Sequence, residues 1–170
     1  MKKRFNLLKN SDLKKIAVLC EKRPDEIHKR TLKEIKTYFQ DTNKVKQILK
    51  KNNPILYKVY IRHGLLDYGL TIINKGNISN EFFFTKGHKH KNQSEELYYL
   101  IEGTGYLMIK KKQTKLIKLK GKHIVPKGYA HRLINTGNSK LKVLTVYDPK
   151  AKHDYKIKFD KRIFKWKIKY

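Results

Sequence analysis

The chain has 170 residues, 42 of them Lys or Arg against 14 Asp or Glu, which gives a net charge of +28 and a pI of about 10.1. That length suits one compact domain with its own core, and the single Cys20 excludes an intramolecular disulfide framework and fits a reducing compartment, so a cytoplasmic location is expected. The charge by itself would suggest nucleic acid, but 36 of the basic residues are Lys, only six are Arg, and they are spread through every segment; nucleic acid is therefore not expected as a partner, while anionic substrates would be attracted.

From the N-terminus, residues Asn10 to Lys51 read as helical. Ser11-Asp12 can cap, Leu13, Ile16, Ala17 and Cys20 recur at helix spacing, and Leu32, Ile35 and Phe39 repeat the pattern after Pro24-Asp25-Glu26. The run Ile16–Cys20 is too short for the apolar part of a signal peptide, and no stretch reaches membrane-spanning length, so no membrane partner is expected. From Ile55 onward short β-rich runs follow one another between Gly, Asn and Pro: Leu70–Asn74, Glu81–Thr85, Glu96–Ile101, Tyr106–Lys110, Leu116–Lys120, His123–Pro126, His131–Asn135 and Lys142–Tyr147. Gly103-Thr104-Gly105 and Asn135-Thr136-Gly137-Asn138 are expected as hairpin turns of an antiparallel meander. The tail Lys156–Tyr170 alternates apolar and Lys residues like one or two half-buried strands. The expected division is a helical arm over 1–52 packed on a β-barrel over 53–170, and the fold class is all-β: a sandwich or barrel of many short strands.

His88 and His90 stand two apart, on one face of an extended segment. Glu96 opens the next strand and His131 follows the turn Pro126-Lys127-Gly128-Tyr129-Ala130. Three histidines and a carboxylate delivered from separate strands form a nitrogen and oxygen donor set suited to divalent iron, manganese, nickel or zinc. His28, His63 and His123 have no partner at ligand spacing and read as surface or core residues.

These same residues carry a resemblance. Gly87-His88-Lys89-His90 with Glu96 and Gly103 resembles the first cupin motif, and Gly121 with Pro126–His131 and Asn135 resembles the second. Beyond the motifs, Glu81–His90, Glu96-Leu97-Tyr98-Tyr99, Tyr129-Ala130-His131-Arg132 and Tyr147 with His153-Asp154-Tyr155 are similar, in that order, to the archaeal-type (cupin) glucose-6-phosphate isomerases. The loop from His90 to Glu96 is one residue shorter than that family's, which puts Glu95 in competition with Glu96; Glu-x-Tyr and the seven residues to Gly103 favour Glu96.

The resemblance implies a double-stranded β-helix, or jelly-roll, barrel, with one divalent ion per subunit held by His88, His90, Glu96 and His131. It implies catalytic roles for Glu96, Tyr98 and His153, contacts to a sugar-phosphate substrate from Thr71, Thr85, Gly87, Tyr147 and Tyr155, and a homodimer. Tyr57 is a weaker pocket candidate. Other metal-dependent cupin enzymes, such as a non-haem iron dioxygenase or another sugar-phosphate isomerase or epimerase, could use the same four ligands. A non-catalytic basic cupin binding nucleic acid is the rival of a different class, marked by strongly salt-dependent affinity.

Overall fold

The computed structural model describes residues 5, 7–157 and 159. Helix α1 (Asn10–Lys22) buries Leu13, Ala17 and Cys20 on one face. Ser11 and Asp12 fall in its first turn rather than at its cap, which is Lys9 and makes no side-chain capping bond. Arg23 closes the helix because the following Pro24 disfavours helical backbone before it.

The expectation of a helical run from Asn10 to Lys51 is corrected at the next element. Glu26–Thr31 is a strand, β1, antiparallel to β2 (Ile55–Arg62), with Glu26 opposite Ile61, His28 opposite Val59 and Arg30 opposite Tyr57. An edge strand this exposed carries little apolar alternation, so the helical periodicity on either side of it dominated the reading. Helix then resumes in α2 (Leu32–Ile35), a 3₁₀ turn (Lys36–Tyr38) and α3 (Thr42–Lys51). Thr31 and Glu34 form a reciprocal capping box on α2, and Asp41 caps α3 by accepting from the Lys44 amide at 2.8 Å.

The remaining strands are β3 (Asp67–Ile73), β4 (Asn77–Ile78), β5 (Glu81–Phe82), β6 (Lys89–His90), β7 (Glu96–Glu102), β8 (Gly105–Lys110), β9 (Thr114–Lys118), β10 (Lys122–Val125), β11 (Ala130–Asn135), β12 (Leu141–Tyr147) and β13 (His153–Asp154). They build a six-stranded sheet ordered β1-β2-β3-β12-β7-β10 and a three-stranded sheet ordered β11-β8-β9. Bridges from Phe84 to Ile134 and from His88 to His131 extend the smaller sheet towards β6 and its partner β13.

Every pairing is antiparallel as expected, but the meander is not. The links Gly103–Gly105 and Asn135–Asn138 close no hairpins: β7 and β12 lie in the large sheet, β8 and β11 in the small one, so each link carries the chain across the sandwich. The two crossings pack on each other. Thr136 donates its amide to the Thr104 carbonyl at 3.2 Å, and a Cβ on Gly103, whose φ is +88°, would stand 2.4 Å from the Lys140 carbonyl oxygen. Two antiparallel sheets linked by such crossings make the jelly-roll barrel that the motifs imply.

Two apolar layers hold the large sheet. On its outer face α1 packs Leu13, Ala17 and Cys20 against Leu70, Ile72, Leu144 and Val146. On its inner face Tyr57, Ile73, Tyr98 and Val143 meet Leu107, Leu133 and Ile134 of the small sheet, with Leu32, Ile35 and Phe39 from the α2–α3 segment in the same core. Central strands β3 and β12 are therefore buried on both sides, which is why their sequences run nearly continuously apolar. The strands expected in the tail lie outside the described residues beyond Ile157, except for Phe159, which is buried against Arg132.

Candidate metal centre and substrate cavity

His88 and His131 are brought together by backbone pairing: each donates its amide to the other's carbonyl, at 3.1 and 2.9 Å. His90, two residues on, shares the face of His88, and Glu96 enters from the first position of β7 in the opposite sheet. The donor atoms of His88, His90, Glu96 and His131 all lie within 4.8 Å of one another. Glu96 Oε2 is 2.8 Å from His131 Nε2, 3.4 Å from His90 Nε2 and 3.5 Å from His88 Nε2. The cluster takes Glu96 and not Glu95.

Neighbouring carbonyls fix how two of the imidazoles face the centre. His90 Nδ1 donates to the Ser94 carbonyl and His131 Nδ1 to the Tyr129 carbonyl, each at 3.0 Å, so the proton sits on Nδ1 and the Nε2 lone pair turns inward. Burial by itself would raise the Glu96 carboxyl, but the His131, His88 and His90 side chains around it favour its charged form, outweigh burial and hold the group well below the usual range. Burial, together with the neighbouring His131, pushes His88 down to about 3, whereas at His90 the pull of Glu96 exceeds the effect of burial and raises it. A buried carboxylate beside Nε2 lone pairs calls for one shared cation, and this donor set fits a divalent metal ion.

The segment leading to His88 is clamped from behind. Arg132 alternates with His131 on β11, so it points away from the centre, where Nη2 donates to the Lys86 carbonyl at 2.8 Å. Its guanidinium lies 4.1 Å from the Phe159 ring centroid and 4.9 Å from that of Phe84. Gly87 is required there: with φ at +77°, an added Cβ would stand 2.9 Å from the His131 carbonyl oxygen.

The centre opens into a cavity of about 290 Å³ on the inner face of the large sheet. Tyr98, Tyr147, His153, Tyr155, Thr71 and Thr85 all line it, alongside His88, Glu96 and His131. Gly87 sits beside His88 but is not among the lining residues. The Tyr98 hydroxyl donates to Glu96 Oε2 at 3.2 Å, and burial together with the Glu96 charge raises its pKa far enough to keep it protonated. His153, in β13 opposite His90, has its ring centroid 4.2 Å from that of His88. Burial lowers its pKa, and its buried Nε2 has no hydrogen-bond partner among the described residues. Tyr57 also lines the cavity, its hydroxyl accepting from the Lys86 amide at 3.1 Å.

Sequence reasoning missed His28 and Arg30, which join the lining because β1 extends the sheet, and Asp67, which opens β3 opposite Tyr147. The available signal was the alternation of Glu26, His28 and Arg30, a period-two polar face read instead as part of a helical arm. His63 and His123 stay outside the cavity: His63 is exposed between Glu26 and Asp67, and His123 accepts from the Lys120 amide.

A sequence profile described as Glucose-6-phosphate isomerase (GPI) matches residues 29–163. Among curated proteins, one named glucose-6-phosphate isomerase from Pyrococcus abyssi (strain GE5 / Orsay) is 35% identical over 136 residues, covering 74% of this chain and 72% of its own length. A second of that name, from Thermococcus litoralis, is 34% identical with the same coverage. Among solved structures, the oxalate decarboxylase formate complex of Lactobacillus farciminis superposes with a TM-score of 0.48 at 19% identity, covering 58% of this chain and 31% of that one.

Proposed function

The chain belongs to the glucose-6-phosphate isomerase family, and we propose that it interconverts glucose 6-phosphate and fructose 6-phosphate with a divalent ion held by His88, His90, Glu96 and His131. One observation carries the reading: a three-histidine, one-glutamate cluster at the base of a cavity, inside a family match that spans most of the chain. When bound, such an ion supplies Lewis-acid polarisation of the two sugar oxygens between which the reaction takes place. Iron is our first choice, with manganese, nickel and zinc accepted by the same donors.

Aldose–ketose interconversion moves a hydrogen between C1 and C2 of the opened sugar. In the proton-transfer course Glu96 is the base, since its carboxylate is ionised, buried and at the reacting end of the cavity. Tyr98 donates its hydroxyl proton to Glu96 and offers its oxygen lone pairs to a sugar hydroxyl, orienting both. His153 serves ring opening, for which a neutral imidazole with an unsatisfied buried Nε2 is suited. Thr71 and Thr85 in the cavity lining offer hydroxyls to the phosphate, the amide of Gly87, next to the lining residue His88, is a further donor, and Tyr147 and Tyr155 wall the sugar between them. The enzyme acts as a cytoplasmic homodimer in this reading, pairing that would cover exposed β edges such as β1.

The test is direct. Purified protein given fructose 6-phosphate should yield glucose 6-phosphate in a coupled assay, lose that activity to a chelator and recover it on adding one divalent metal. Metal-replete protein that turns over neither sugar phosphate would overturn the reading.

A further inference from the structure

A sugar phosphate carries a dianion, and the described lining of the cavity holds one Lys or Arg from a chain that has 42 of them: Arg30. Its position follows from the strand that sequence reading did not anticipate. In an antiparallel pair, residues directly opposite share a face, so Arg30 stands beside Tyr57, while His28, Val59 and Thr71 form the adjoining row across β1, β2 and β3. Tyr57 in turn accepts from the Lys86 amide, next to Thr85. Arg30 thus lies among the cavity's hydroxyls, while Glu96 and Tyr147 pair in a different row at the metal end.

The guanidinium is suited to the task. Its two contacts among the described residues, to the Lys29 carbonyl at 2.9 Å and to Glu34 at 3.6 Å, both use Nη1, which leaves the Nη2–Nε edge for a planar two-point contact. The Glu34 pair is half exposed and long, so a phosphate dianion competes with it readily. The Arg30 charge also reaches across the cavity: burial raises both Tyr57 and Tyr155, and Arg30 opposes that rise at each.

We propose that Arg30 is the cation that binds the substrate's phosphate, and that it sets the preference for phosphorylated over free sugars. The inference rests on the isomerase reading for its substrate, but not for its measurement. Arg30→Ala should raise KM for fructose 6-phosphate roughly 10- to 100-fold with kcat within about threefold. Arg30→Lys should recover part of that loss, because charge survives and the fork does not. Lys29→Ala removes the same charge from the outer face of β1 and should leave KM near wild type. Metal content and melting temperature should be unchanged in all three. Calorimetric titration with inorganic phosphate should show weaker binding by Arg30→Ala in the same proportion as KM. Wild-type phosphate affinity in Arg30→Ala, or a loss matched by Lys29→Ala, sinks the proposal. A wild-type protein without isomerase activity would defeat the functional reading alone, because the phosphate titration still decides whether Arg30 is the anion's partner.

Discussion

Glu95 and Glu96 are adjacent, both buried and chemically alike, yet only one enters the metal cluster. Position separates them: Glu96 opens β7 and shares its face with Tyr98, whereas Glu95 lies just before the strand and falls outside the cluster. Glu96→Gln should therefore lower the isomerase rate about 100-fold or more even where metal is retained, because an amide can offer an oxygen to the ion but cannot accept the substrate's proton. Glu95→Gln should leave metal content and rate near wild type. Metal analysis and steady-state kinetics on the two proteins check both halves, and the reverse pattern would shift the ligand set by one residue.

At the scale of elements, Asn135 shows how the barrel's crossings are pinned. The end of β11 and the start of the link to β12 meet at this side chain, whose Nδ2 lies 2.9 to 3.2 Å from the carbonyls of Ile73, Asn74 and Ser139, while its Oδ1 accepts from the Gly137 amide. The residue is buried, so truncation strands several backbone groups away from water. Asn135→Ala should cost on the order of 2–3 kcal/mol in chemical denaturation, with metal ligands untouched. Asn135→Asp keeps the acceptor but loses the donors, and should be no less damaging at neutral pH. Strand β1 makes the complementary point: its exposed backbone contributes little core, yet its register delivers His28 and Arg30 to the cavity.

For the whole molecule, the net charge of +28 is a long-range field spread over many Lys residues rather than a patch. Only Arg30 among the described lining residues belongs to that basic set, so most of the field acts on approach and not on contact. Raising ionic strength from about 0.05 to 0.5 M shortens the screening length roughly threefold, and KM for fructose 6-phosphate should climb severalfold while kcat changes little. Kinetics across a salt series would show it; a kcat that collapses with KM would mean that the charge supports the fold or the chemistry instead of the encounter.

Sequence by itself determined the donor chemistry and the strand content. His88 and His90 were legible because alternate residues of an extended segment share a face, Glu96 and His131 because they stand in the two cupin motifs, and the β runs because a half-buried strand must alternate or, if covered twice, stay apolar. The tertiary structure alone decided the sheet order, which sends the chain across the sandwich at Gly103 and at Asn135 instead of turning back in hairpins. Turn residues report that the chain bends, not which sheet receives it. It also decided that Glu26–Thr31 is a strand, because that segment's conformation comes from the ladder offered by β2 and not from its own apolar pattern. For the same reason Arg30, silent among 42 basic residues in the sequence, becomes a cavity residue only once the sheet is assembled.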